Sequence, residues 1–82
     1  MKYGFEVEAI QAKKGKLPRD ERNDIAAYIS SLQMEAEEGK KAFRLLANRV
    51  NGRLSRDCTE RSATITLPDY GGCQVMVRLK TG

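Results

Sequence analysis

The chain has 82 residues, of which 40% are hydrophobic and 32% charged, with a formal net charge of +4 and no histidine. A chain of this length is one domain that buries only about 60% of the surface its unfolded form exposes. The lack of histidine excludes Cys/His zinc sites and Ser–His or Cys–His nucleophilic pairs. No apolar run approaches the ~20 residues of a membrane span, and Cys58 and Cys73, without a CxxC, do not form a disulfide framework.

The first residues, MKYGFEVEAI, carry two glutamates where a signal peptide would have an unbroken apolar stretch, so a cytoplasmic location is expected. Residues 3–12 alternate, with Tyr3, Phe5, Val7 and Ala9 on one side and Glu6 and Glu8 on the other, which predicts a strand. KKGK at 13–16 reads as a charged loop. Pro18 suits the first turn of a helix, and Asp20 and Glu21 favour the positive end of its dipole.

Ile25, Tyr28, Ile29, Leu32 and Ala36 then follow i, i+3, i+4, i+7 and i+11 spacing, and Phe43, Leu46, Ala47, Val50 and Leu54 repeat it 18 residues later. That offset is five turns of helix, so the two stripes would be in phase along one unbroken helix. Gly39 stands between them. A helix ending there would set Glu35, Glu37 and Glu38 against its negative end, and one starting there would set Lys40 and Lys41 against its positive end. No Ser, Thr, Asp or Asn is placed to cap a new start, whereas a continuous helix pairs Glu37 with Lys41. These local effects favour one long helix over 19–51. A helix pair broken at Gly39 is the alternative, with the usual length of helices on its side. A helix of that length would measure about 50 Å, longer than the globule is wide, and its stripe would then need a second copy or another partner, so a homodimer is one expectation from it. Met34 lies off the stripe, and Asn51-Gly52 ends the helix in either case.

SRDCTERS at 55–62 predicts turns, with a short extra strand around 53–57. ATITLP (63–68) and CQVMVRLK (73–80) predict a β-hairpin closed by DYGG. The expected fold class is therefore α+β, with an N-terminal strand, a long helix or helix pair, and a C-terminal β-hairpin in a small antiparallel sheet.

Charge is unevenly spread. Residues 1–38 hold six Lys/Arg against eight Asp/Glu, and residues 39–82 hold nine against three. Six of the nine fall between 40 and 56 with no acid among them, Lys40, Lys41 and Arg44 along one flank of the expected helix and Arg49, Arg53 and Arg56 clustered on another. Phosphate neutralisation needs such density, and arginine forks onto phosphate oxygens, so this segment is the candidate nucleic-acid contact. A solvated face whose arginines answer acids of the first half is the plainer alternative. Leu45, within the basic segment, and Tyr70, in the hairpin loop, are candidate partner contacts; each also stands as an ordinary exposed side chain. Cys58 has Arg56 and Arg61 near it in sequence, but Asp57 and Glu60 oppose thiolate formation. Glu6 and Glu8 read as a solvated strand face rather than an acid–base pair.

A strand followed by two helices resembles, in order alone, the ribbon-helix-helix DNA-binding dimers, whose strand enters the major groove. Glu6 and Glu8 carry the wrong charge for that role and the C-terminal hairpin is additional, so the resemblance assigns no residue here. Neither GxGxxG nor a Walker spacing occurs, and no cofactor is implied. Two non-enzymatic classes remain. One is a nucleic-acid-associated regulator using the basic helix face; the other is a protein-binding inhibitor or accessory module, docking on a host or partner protein by a helix or sheet edge.

Overall fold

The computed structural model describes residues 1–12 and 17–80. The KKGK loop expected at 13–16 lies outside the described residues. The elements are β1 (Lys2–Gln11), α1 (Arg19–Ser31), β2 (Gln33–Glu35), α2 (Gly39–Arg49), β3 (Arg53–Leu54), β4 (Ser62–Leu67) and β5 (Cys73–Leu79). The five strands form one antiparallel sheet in the order β2-β1-β5-β4-β3. The fold is α+β, with both helices on one face of the sheet.

Strand alternation builds that face. Ala63, Ile65 and Leu67 of β4 sit opposite Val77, Val75 and Cys73 of β5, and all six are buried. Phe5 of β1 joins them and meets Phe43 of α2 with ring centroids 5.8 Å apart and a tilt of 48°. Ile25 and Ile29 of α1 and Ala42, Phe43, Leu46 and Ala47 of α2 close the core from the helix side. The expected β1 alternation holds only as far as Val7. A bulge at Glu8 breaks the register between Val7 and Ala9, so that Ile10, rather than Ala9, packs on the core.

The single helix over 19–51 does not form. α1 stops at Ser31, where Leu32 turns to extended backbone at φ −82°, ψ 146°. The last carbonyls of α1 find side-chain partners: the helix's own Ser31 hydroxyl donates to the Tyr28 carbonyl at 2.7 Å, and the Lys80 ammonium, from beyond β5, donates to that of Ser30 at 3.0 Å. Residues 33–35 then exchange helical hydrogen bonds for a ladder, pairing Gln33, Met34 and Glu35 with Gly4, Tyr3 and Lys2. Met34, off the helical stripe, instead packs against the core from this edge strand.

α2 begins at Gly39 despite the unfavourable charges. Glu38 precedes it without a side-chain cap, and the first turn holds no acid. Those penalties are a few tenths of a kcal/mol per charge. Full burial of Phe43 and Leu46 contributes about 1.5–3 kcal/mol each, and burial wins. The Glu37–Lys41 pair does form, at 3.2 Å, but it straddles the helix start and so is equally compatible with a break. Folding back lets both apolar stripes reach the same sheet, within principal extents of 37 × 23 × 18 Å. The stripe that called for a second copy thus packs against the chain's own strands, which removes the motive for the expected homodimer.

α2 ends as expected of Asn51-Gly52. Asn51 takes the left-handed conformation at φ 54°, its N–H bonds the Asn48 carbonyl at 3.3 Å, and the Gly52 N–H reaches the Ala47 carbonyl at 2.8 Å. Pro18 lies one position before the first helical residue, with Asp20 and Glu21 in the first turn. The extra strand near 53–57 shortens to β3. The β4–β5 connection is a 3-10 turn at Pro68–Tyr70 followed by Gly71 and Gly72 at φ 71° and 79°, values that favour glycine.

Candidate polyanion-binding surface

α2 links β2 at one edge of the sheet to β3 at the other, and it runs from Gly39, beside Glu60 and Leu79, to an end near Leu67. Its inward residues are consumed by the core. Its outward residues are Lys40, Lys41, Arg44, Leu45, Asn48 and Arg49, all exposed. They form two rows at helical spacing: Lys41, Leu45 and Arg49 in one, and Lys40, Arg44 and Asn48 in the other. Each row runs about 12 Å along the helix. α2 carries four cations and no acid, while α1 beside it carries two cations and three acids.

The expected cluster of Arg49, Arg53 and Arg56 does not form, since they lie on α2, on β3 and in the turn beyond it. Arg53 pairs across β3 with Thr66, and Leu54, its neighbour, pairs with buried Ile65 and packs on the core. Strand alternation therefore turns Arg53 to the helix-free side of the sheet. Arg56 lies exposed in the turn beyond β3, separate from the helix. The surface that remains is Lys40, Lys41, Arg44 and Arg49.

These cations are not committed to acids of the first half. Among the described residues, Lys41 alone of the six makes an ion pair within 4.0 Å, with Glu37. The acids of β1 answer a different residue: Arg78 of β5 lies 3.4 Å from Glu6 and 3.6 Å from Glu8. Glu6 and Glu8 are thus tied to one guanidinium on the open sheet face. β1 itself is paired on both sides, by β2 and by β5, so it is not a free ribbon.

Leu45 is 41% exposed in the middle of the cationic rows. Tyr70 is 44% exposed at the hairpin tip, and it faces a cleft of about 350 Å³ between α1, the end of α2 and the β4–β5 turn. Tyr28 of α1, also 47% exposed, lines the same cleft with Asp24, Arg49 and Asp69. Ile25, Ile29, Val50 and Leu67 supply its apolar wall. Sequence spacing assigned Tyr28 to the apolar stripe and so missed this cleft. Spacing cannot separate the middle of a stripe from its margin; the phenolic hydroxyl, which needs a wet side, was the usable signal. A larger cleft of about 700 Å³ lies near the start of α2, but its rim mixes four glutamates with Arg61, Arg78 and Lys80.

The thiols are not activated. Burial pushes Cys58 above the ordinary thiol range, against a smaller opposing pull from Lys40. Burial likewise raises Cys73. The cations that bear on Cys58 are Lys40 and Arg44, rather than the Arg56 and Arg61 expected from sequence. Among the described residues no cluster of His, Cys, Asp or Glu could hold a metal ion, and no helix is long and apolar enough to cross a membrane.

No family model matches the chain, no curated protein matches it, and no solved structure matches it.

Proposed function

We propose that the protein is a non-enzymatic, nucleic-acid-associated regulator that grips phosphates with the outward face of α2. One observation carries the reading: Lys40, Lys41, Arg44 and Arg49 lie exposed on one helix without an acid, and of these Lys41 alone is ion-paired among the described residues. Cations left unpaired by the fold are available for counterion exchange with a phosphate backbone, and that exchange supplies most of the affinity in binding of this kind. The binding is electrostatic, and phosphate contacts of this kind position the protein without themselves carrying sequence information.

Fluorescence anisotropy with a labelled oligonucleotide, repeated from about 50 to about 200 mM salt, tests the reading. Four phosphate contacts give a slope of about −3.6 in log K against log salt on duplex DNA and about −2.8 on a single strand. Absence of binding at about 50 mM salt would reject the reading.

Leu45 favours a second reading. An apolar side chain ringed by Lys41, Arg44 and Arg49 suits an acidic protein surface with an apolar centre, with the rim charges steering the encounter. On that reading, Leu45→Asp loses a protein partner and leaves any weak DNA affinity nearly unchanged.

A further inference from the structure

We infer that the cleft between Tyr28 and Tyr70 receives one unstacked base of a single strand whose phosphates lie along α2; this deepens, and rests on, the nucleic-acid reading. Arg49 joins the two places. It ends the row begun by Lys41 and Leu45 on α2, and it also lines the cleft. A backbone following the helix from Lys41 to Arg49 is therefore delivered to the mouth of the cleft.

The cleft has the parts that a base needs. Two half-exposed aromatic rings come from different elements, α1 and the β4–β5 turn, and both line it. Bases stack on such rings whatever their identity. The floor between them is aliphatic, with half-buried Val50 at its surface over the core residues Ile25, Ile29 and Leu67. Its volume of about 350 Å³ falls at the lower end of the range for ligand sites, about 300–1,000 Å³.

Charge decides which part of a nucleotide enters. Asp24 and Asp69 stand in the lining, and among the described residues neither forms an ion pair within 4.0 Å with Arg49 or any other cation. Two carboxylates repel a phosphate and accept hydrogen bonds from the amino edge of a base. Phosphates are thus kept on the α2 strip and the base is admitted. A duplex, with its bases paired and stacked, engages the strip and not the cleft, so the protein favours single strands.

The chain contains no tryptophan and three tyrosines, so its own emission reports on the site. The third, Tyr3, packs against the core at the far edge strand pair. Binding of single-stranded oligodeoxycytidine to the intact protein should quench tyrosine emission, and binding of a blunt-ended duplex should not. The double variant Tyr28→Leu/Tyr70→Leu should bind the single strand about 5- to 150-fold more weakly and the duplex as before. Tyr28→Phe/Tyr70→Phe, which keeps both rings, should bind both probes as the parent does. Retained duplex affinity shows that the leucine variant is folded. If the parent binds single strand and duplex alike and the leucine variant changes neither, the cleft proposal falls while the α2 reading stands. Loss of the single strand by the phenylalanine variant equal to that of the leucine variant also overturns it. If neither probe binds the parent at about 50 mM salt, the α2 reading itself fails.

Discussion

The α-carbon of Gly39 abuts the backbone carbonyl of Glu60: a methyl group placed on it would collide with that oxygen and stand 2.9 Å from the Leu79 side chain. Gly39 is therefore present for close approach, and its backbone is ordinary helix rather than a left-handed hinge. Gly39→Ala should lower stability by about 1–3 kcal/mol through this overlap, outweighing a helix-propensity gain of at most ~1 kcal/mol. In a domain of this size, each kcal/mol lowers Tm by about 4–8 °C. A rise in Tm would contradict the packing of α2 on the 58–61 turn.

Two neighbours on α2 should behave oppositely. Phe43 is fully buried against Phe5, and Phe43→Ala should cost about 3–5 kcal/mol, a large share of the total stability of a small domain. Leu45, two positions on, faces solvent, and Leu45→Ala should change stability by less than ~0.5 kcal/mol. Urea denaturation of both variants checks the orientation of the helix.

Arg53 separates the α2 strip from a general effect of positive charge. Replacing Lys40, Arg44 and Arg49 together by glutamine should flatten the salt slope on duplex DNA by about 2.7. Arg53→Gln should leave it unchanged, because that side chain lies on the helix-free side. Equal effects of Arg53 and Arg44 substitutions in salt titrations would show that the helix is not the contact.

The edge formed by β2 is tied to the first residue of the chain. The Met1 α-ammonium lies 2.9 Å from Glu35 Oε1 and holds that carboxyl below its usual range by a hydrogen bond and by charge, with a smaller contribution from Lys2. A depressed folded-state value adds stability above the ordinary carboxyl range and loses it as pH falls through the folded value. Glu35→Gln should therefore flatten the acid limb of stability at and below the ordinary carboxyl range, and should destabilise slightly at neutral pH. Denaturant unfolding across that range measures it.

Much of the architecture was legible. β1, the C-terminal hairpin, the two in-phase stripes and the Asn51-Gly52 stop are local patterns, written in alternation, spacing and turn chemistry. The break between the stripes was not. Around Gly39 the local preferences are each tenths of a kcal/mol, and they were outweighed by core burial that depends on strands 20 to 40 residues away. Ser30-Ser31 ahead of Leu32 was the overlooked signal, since a serine hydroxyl can bond the preceding turn and stop a helix. The bulge at Glu8 was hidden for a related reason: alternation gives a face but not the place where a partner strand skips a residue. The cationic segment was visible as composition, while its division between α2 and Arg53 needed the β3 register.

As the chain connection between the edge strands β2 and β3, α2 couples two places that never touch. Fraying of α2 slackens its tether to β2 and to β3 together, baring unpaired backbone at both margins in a single opening event. Conversely, a polyanion that clamps α2 holds both margins shut from a distance. Amide exchange at Gln33–Glu35 and Arg53–Leu54 should slow in concert on addition of an oligonucleotide, although the strand lies over neither segment.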